Sequence, residues 1–114
     1  MKDSSAIFDE MIALLMHPAN WAQHAEARDA KGNEVSPHSP AATSFSLLGA
    51  LIKVTPHDVY SKRTMEVRNI LLDYLEDVLG HRSLSYFNDD PDRKRTDVLN
   101  IIAKAKEKAI LLAD

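Results

Sequence analysis

The sequence predicts a mainly α-helical fold, a compact bundle of about four helices, and three observations indicate it. Apolar residues recur at steps of three and four in several segments. Glycine and proline are few, three and five residues, and apart from Gly49 they stand between those segments or at their ends. Serine or threonine precedes most of the segments, as at helix N-caps. With 114 residues the chain is long enough for one hydrophobic core, so we expect a single domain spanning 1–114.

The first helix is predicted from an N-cap at Ser4 or Ser5 to the residues just before Pro18. Proline disfavours helical geometry in the residue that precedes it, so the helix should end there. Its apolar residues keep to one helical face. They are Ile7, Phe8, Met11, Ile12 and Leu15.

The segment 19–38 has little to bury apart from Trp21. A Gly-Asn pair at 32–33 tolerates positive φ and suits a tight turn. We therefore favour one small β-hairpin near residues 28–35, in which Arg28 to Val35 folds back on itself. The alternative is a short helix to about Ala30, which the alanine-rich composition favours.

The second predicted helix begins at Ser39 and Pro40, because proline at the first helical position loses no hydrogen bond. It should run to about Val54. An interior glycine costs about 1 kcal/mol relative to alanine. We therefore expect Gly49 to permit close approach of another backbone or an aromatic ring. The expected buried side consists of Ala41, Phe45, Leu48 and Ile52.

The third predicted helix follows residues 55–58, Thr-Pro-His-Asp, which resemble a capping box with proline at the first helical position. The polar run 61–64 leaves open a break into a short turn and a longer helix. The helix should end at Gly80, which suits a left-handed C-cap. Its apolar stripe contains Val67, Ile70, Leu71, Tyr74, Leu75, Val78 and Leu79.

The last predicted helix follows Thr96, with Asp97 in its first turn and lysines towards its end. This arrangement of charge is the one that the helix dipole favours. The residues expected to face inward are Val98, Ile102, Ala105, Ala109 and Leu112.

The segment 83–96 is predicted to be an anchored loop, with Tyr86 and Phe87 held inward and Asn88-Asp89 shaping a turn. Five aromatic residues could pack together as a secondary core that closes the two loops over the helices. They are Trp21, Phe45, Tyr74, Tyr86 and Phe87. The sharper alternative is a pocket for a ligand or a partner peptide. Its rim would consist of Trp21, Arg28, Asn88 and Asp89.

Composition and charge exclude several classes of protein. The chain has no cysteine, which excludes disulfides, thiolate zinc sites and cysteine nucleophiles. No apolar run approaches the length of a membrane span, and the N-terminus turns acidic early, so we expect a cytoplasmic protein without a secretory signal. The formal charge of −3 gives no electrostatic case for nucleic-acid binding. The sequence does not decide the oligomeric state.

Metal and cofactor sites are not predicted. The five histidines lack the spacing of a helical metal site. They are His17, His24, His38, His57 and His81. Residues 29–34, DAKGNE, do not fit a calcium loop. Lys31 stands at the third position, where an oxygen ligand is needed, and glycine stands at the fourth position and not at the sixth. Three dispersed glycines cannot form a phosphate-binding loop.

Two blocks of the sequence resemble a family of small uncharacterised bacterial and phage proteins, a domain-of-unknown-function group. The first block has Trp, then Ala-Arg-Asp-x-x-Gly, then an alanine and an aromatic before Gly-Ala; the second has aromatic-Asn-Asp followed by Arg-Thr. The matching residues are Trp21, Ala27, Arg28, Asp29, Gly32, Ala42, Phe45, Gly49, Ala50, Phe87, Asn88, Asp89, Arg95 and Thr96. The family more often has Trp at the position of Phe87 and often cysteine at the position of Ser46. The resemblance implies a small helical domain and supplies no activity.

Three functional hypotheses follow. The first is a binding module without catalysis of its own, acting on a protein partner where the segments 19–38 and 83–96 meet. The candidate binding residues are Trp21, Arg28, Asp29, Asn88, Asp89 and Arg95. The second is a small enzyme or ligand-binding domain that uses a loop pocket near Trp21, with Asp29 or Asp89 as acid/base. The third and weakest is contact with nucleic acid through two basic groups. They are Lys62-Arg63 and Arg93-Lys94-Arg95.

Overall fold

The structure is a computed structural model and describes residues 3–55 and 61–112. Its helices are α1 (Ser4–Leu15), α2 (Leu47–Val54), α3 (Lys62–Leu79), α4 (Leu84–Asp89) and α5 (Arg95–Leu112). A 3₁₀ turn spans Pro18–Asn20, and two short strands, β1 (Ala27–Arg28) and β2 (Ser44–Phe45), pair antiparallel. The prediction of a mainly α-helical fold with one small antiparallel β element is therefore confirmed.

The core lies where α1 packs against α2, α3 and α5. Helix α1 buries Phe8, Met11 and Leu15 because the steps of three and four place them on one face. Helices α3 and α5 bury their own stripes against it, so one continuous core joins the helices. The buried residues of these two stripes are Thr64, Val67, Leu71, Leu75, Val98, Ile101, Ile102, Ala105 and Ala109.

Two helices begin earlier than predicted. Helix α5 begins at Arg95, so Thr96 lies within its first turn and the prediction that the helix follows Thr96 is wrong. The cap of α1 is Asp3, whose carboxylate accepts the Ala6 N–H at 2.8 Å, and not Ser4 or Ser5. Helix α3 ends at Gly80 with φ 78°, which confirms the left-handed C-cap. The expected capping box at residues 55–58 lies, apart from Thr55, outside the described residues.

The predicted start of the second helix at Ser39-Pro40 is wrong. Helix α2 begins at Leu47 behind the cap Ser46, and Phe45 lies in a strand. Residues 44–46 are extended because the 22–28 segment satisfies their backbone hydrogen bonds. The Ser46 N–H, for example, donates to the Glu26 carbonyl at 3.1 Å. Of the residues expected on the buried side of a longer helix, Ala41 is exposed, and Leu48 and Ile52 are half-buried.

The turn at 29–33 forms as predicted, and the strand before it, β1, also pairs with β2. The Asp29 N–H donates to the Asn33 carbonyl at 2.9 Å, and Gly32 takes φ 86°. Arg28 and Glu34 form an isolated antiparallel bridge. The Val35 N–H also donates to the Ala27 carbonyl at 3.1 Å, so the predicted hairpin pairing is present, while the two-residue ladder of β1 is formed with β2. A short two-stranded hairpin is only marginally stable by itself in water, and pairing with β2 gives β1 a second hydrogen-bonded neighbour.

The segment expected to be a loop contains α4, a helix that was not predicted and that is capped by the Ser83 hydroxyl, which accepts the Tyr86 N–H. A helix of less than two turns shows no apolar period, so the sequence pattern could not indicate it. Phe87 is buried as expected, whereas Tyr86 is 71% exposed and contacts the His81 ring edge-on. Leu112, expected inward, is 67% exposed at the end of α5.

Candidate functional site

Asn88 joins the loop after α1, the start of α2 and helix α4 at one buried point, which we call the junction. Its side chain is fully buried. The amide oxygen accepts the indole N–H of Trp21 at 2.7 Å and the backbone N–H of Leu47 at 3.0 Å. The amide nitrogen donates to the Ala22 carbonyl at 2.9 Å and to the Asp89 carboxylate at 3.0 Å. Both lone pairs and both N–H groups of Asn88 are thus used within the chain.

Beside the junction, Gly49 of α2 lies close to the 22–28 backbone. A Cβ atom at this position would lie 1.8 Å from the Glu26 carbonyl oxygen, far inside any allowed contact. The glycine therefore lets α2 lie directly against the 22–28 backbone, and the predicted close approach to another backbone is confirmed. On the other side, the Gln23 side chain donates to the carbonyls of Asn88 and Asp90, each at 3.0 Å.

A small polar pocket of about 200 Å³ opens at the surface of the junction. Its lining consists of His24, Ala25, Glu26, Ser46, Ser85 and Asp89. His24 is the one non-glycine residue of the described segments with positive φ, at 63°. Asp89 holds this conformation by accepting the His24 N–H at 2.8 Å, and its carboxylate lies 4.0 Å from the His24 Nδ1. Histidine adopts the left-handed region more readily than most residues, yet it still stores local strain there.

Arg28 and Asp29 organise the turn beside the junction. The Arg28 guanidinium donates to the carbonyls of Gly32 at 2.9 Å and Gln23 at 3.1 Å. The Asp29 carboxylate accepts the N–H groups of Lys31 and Asn33, both at 2.9 Å. The Asn33 N–H is the largest cause of a lowered pKa at Asp29, and the Asn33 side chain and the N–H groups of Lys31 and Gly32 add to it against partial desolvation.

The basic triplet 93–95 is divided between two places. Arg95 donates to the carbonyls of Leu15 at 3.3 Å and Met16 at 2.7 Å, where it satisfies the C-terminal end of α1. Arg93 donates from Nε to the Phe87 carbonyl at 2.8 Å, and its guanidinium lies 3.9 Å from the centre of the Phe87 ring. Lys94 is exposed.

Of the six predicted binding residues, the structure therefore brings Trp21, Asn88 and Asp89 together at the junction. The other three do not contact Asn88. Arg28 reaches the junction only through the Gln23 carbonyl, Asp29 lies in its own turn, and Arg95 caps α1. Neither Trp21 nor Asp29 lines the polar pocket, whereas Asp89 does. In the described segments no group of three or more His, Asp or Glu side chains could hold a metal ion.

A second concave surface, the groove, lies between the end of α3 and the start of α5 and has a volume of about 440 Å³. Its apolar lining contains Val78 and Leu79, which are 55% and 43% exposed. Its full lining is Tyr74, Val78, Leu79, Phe87, Arg93, Asp97, Asn100, Ile101 and Lys104. The apolar stripe predicted for α3 includes Val78 and Leu79, yet both are exposed, so the sequence did not predict this surface. The available signal was that the α3 stripe continues past Leu75 for another turn, to Gly80.

None of the helices in the described ranges is long and apolar enough to cross a membrane. No significant match was found among curated proteins or among solved structures. One family model matches residues 1–108, which is nearly the whole chain, and it carries no assigned activity. The chain belongs to this family, the family of unknown function DUF6197.

Proposed function

We propose that this protein is a cytoplasmic binding module of bacterial or phage origin that has no catalytic activity of its own and docks a protein partner in the groove. The observation that carries the proposal is the exposure of Val78 and Leu79 beside a concave apolar surface. Contiguous exposed apolar surface is costly in water and marks interaction sites more often than single exposed residues do. The exposed Tyr86 follows close by in the chain, packed on His81, which stands two residues after Leu79.

The junction has a supporting role in this proposal. Asn88 and Trp21 are positioning residues, because the Asn88 side chain accepts the Trp21 indole N–H and the Leu47 N–H and so fixes α4 against the rest of the molecule. Phe87, the neighbour of Asn88 on α4, then lies in the wall of the groove. A rigid anchored wall loses less conformational entropy on binding than a mobile one.

The proposal is tested by placing a photo-crosslinking amino acid at position 78 and expressing the protein in its native host. The matched control carries the same group at Arg68, an exposed residue of α3 that does not line the groove. We expect a discrete crosslinked partner from position 78, none from position 68, and loss of the product when Leu79→Asp is added. Identical products from both positions, or a product unaffected by Leu79→Asp, would contradict the proposal.

A second candidate function is favoured by the strained His24 in the polar pocket. There the protein would bind a small polar ligand, with His24 and Asp89 as the groups nearest to it. The pocket, about 200 Å³, is below the usual size for drug-like ligands. Strain held by a hydrogen bond at a surface pocket is a reason to look for function there.

A thermal-shift screen of metabolites and nucleotides tests this second candidate, since a ligand that binds only the folded state raises its stability. A ligand of the pocket should shift the wild-type midpoint and fail to shift that of Glu26→Gln or Ser85→Ala, which leave the His24–Asp89 hydrogen bond in place. A shift retained in both variants places the ligand elsewhere. A broad screen without any shift counts against this candidate and leaves the groove proposal untouched.

The bacterial or phage origin rests on the resemblance of the two sequence blocks described above. Neighbouring genes give an independent check. Genes of a phage or another mobile element beside this one would support a role in altering the host, and a metabolic gene cluster would argue against it.

A further inference from the structure

We propose that the protein also binds an uncharged amphipathic small molecule, one with a carbonyl group and an aliphatic body, in a cavity where the starts of α1 and α3 meet the end of α5. The cavity has a volume of about 620 Å³. This volume lies within the range of about 300–1,000 Å³ that is usual for small-molecule sites. The cavity shares no lining residue with the groove or the polar pocket, so this site is independent of the proposed function.

The cavity has an apolar side that an aliphatic chain would cover. This side consists of Ile70 from α3 and of Ala109, Ile110 and Leu112 from α5. Ile110 and Leu112 are 47% and 67% exposed. An aliphatic chain laid against them would remove apolar surface from water, which favours binding.

Arg63, on the polar side of the cavity, has unused hydrogen-bond donors. Its Nη1 donates to the Glu66 carboxylate at 2.9 Å and to the Ser4 hydroxyl at 3.3 Å. Its Nε is buried and has no acceptor, and its Nη2 donates to none of the residues that the structure describes. An N–H group without an acceptor costs free energy, which an oxygen atom of a ligand would recover. Such an oxygen would accept from Nη2, and a small rotation of the guanidinium would bring Nε to it as well.

Charge decides the head group of the ligand. Two carboxylates, Asp3 and Glu66, and one guanidinium, Arg63, line the cavity. This excess of negative charge disfavours an anionic ligand. An ammonium group is also unsuitable, because it has no lone pair that could accept from Arg63. An uncharged carbonyl oxygen meets both conditions, since it accepts hydrogen bonds and brings no charge.

The test compares three probes that share one aliphatic chain and differ in the head group: octanamide, octanoate and octylamine. Isothermal titration calorimetry with the full-length protein at neutral pH should show octanamide binding at least about tenfold more tightly than the other two. In NMR spectra the Arg63 Nε–H signal should shift when octanamide is added, because this group gains an acceptor.

Two matched pairs of variants locate the site. Arg63→Lys keeps the positive charge and removes the guanidinium donors, so octanamide binding should weaken about tenfold. Arg68→Lys, at an exposed position of α3 outside the cavity, should leave it unchanged. Leu112→Asp places a charge against the aliphatic chain and should also weaken binding at least about tenfold. Leu111→Asp, at the exposed neighbouring position that does not line the cavity, should not, and circular dichroism verifies that each variant is folded.

Octanoate or octylamine binding as tightly as octanamide, or no binding of octanamide, would overturn the inference. Octanamide binding that either Arg63→Lys or Leu112→Asp leaves unchanged would also overturn it, because the ligand would then lie elsewhere. The crosslinking experiment at position 78 is unaffected by these results, since Val78 does not line the cavity.

Discussion

The junction and the groove lie on two sides of α4 and differ in what they leave for a partner. At the junction, Asn88 is fully buried and all of its hydrogen-bonding groups are used within the chain. In the groove, one residue earlier on α4, Phe87 meets a surface where Val78 and Leu79 remain largely in contact with water. Consecutive helix residues point about 100° apart, so one short helix serves both regions.

This difference distinguishes two roles that a cluster of polar residues can have, in binding a partner and in satisfying buried backbone groups. Polar residues beside aromatics in irregular segments are typical of binding sites, which is why the sequence points to the junction. The same residue types also satisfy buried backbone groups where two loops and a helix start meet. If the comparison is correct, substitutions at the junction should change stability, and substitutions in the groove should change binding and leave stability unchanged.

The largest effect is expected for Asn88→Ala. It leaves the Trp21 and Leu47 N–H groups and the Ala22 carbonyl without their partner in a buried site. At about 1–3 kcal/mol for each unsatisfied group, the free energy of unfolding should fall by about 3 kcal/mol or more. Urea denaturation measures this fall, and Asn69→Ala, at an exposed position of α3, is the matched control and should be within about 0.5 kcal/mol of wild type.

A small loss of unfolding free energy in Asn88→Ala would contradict the structural role of the junction, because it would mean that water replaces the amide and that the site is open to solvent. In that case the binding role predicted for Asn88 would become the better account of the junction. Crosslinking from position 78 in the same variant adds a second readout: capture should weaken along with stability if Asn88 positions α4.

The second effect is expected for Gly49→Ala. In an unencumbered helix this change stabilises by about 1 kcal/mol, but here the new methyl group meets the Glu26 carbonyl at 1.8 Å and the backbone must move. Overpacking of this kind costs about 1–3 kcal/mol, so the sign of the propensity effect should be reversed. Thermal unfolding followed by circular dichroism is a sufficient measurement.

The control for this prediction is Gly32→Ala. Gly32 has φ 86° and nothing within 4 Å of an added Cβ, so this change should cost about 1–2 kcal/mol through backbone strain alone. An unfolding free energy for Gly49→Ala equal to or above that of wild type would show that α2 and the 22–28 segment separate easily.

Much of the fold could be predicted from local pattern. The stripes of α1, α3 and α5 repeat over three or more turns, and their burial follows from that repeat. The Ser39-Pro40 start signal was misleading because the choice between helix and strand at Phe45 depends on residues 22–28, which are distant in sequence. The exposure of Val78 depends in the same way on the packing partners of α3, and no local pattern contains them.

A smaller effect on stability is expected for Val78→Ser in the groove. The side chain is more than half exposed, so its truncation should change the free energy of unfolding by about 0.5 kcal/mol or less. Capture of the partner by a crosslinking group placed at Leu79 should nevertheless weaken several-fold, because the complex buries the Val78 side chain. Val67→Ser, at a fully buried position of the same helix, is the contrasting control and should destabilise by about 2 kcal/mol. Equal losses of stability in the two variants would remove the distinction between core and groove on α3.

The smallest effect concerns Asp29, which the sequence proposed as a binding residue and as an acid/base. Its lowered pKa means that the ionised form is favoured in the folded state, so its contribution is present above the unfolded pKa of about 4 and is lost as pH falls through the lower folded value. An NMR titration should place the Asp29 midpoint below that of an ordinary aspartate. Asn33→Ala removes only the side-chain donor and should raise the midpoint part of the way. A general acid or base works best with a pKa near the operating pH, so a depressed midpoint supports the turn role, and a midpoint raised towards neutrality would restore Asp29 as a catalytic candidate.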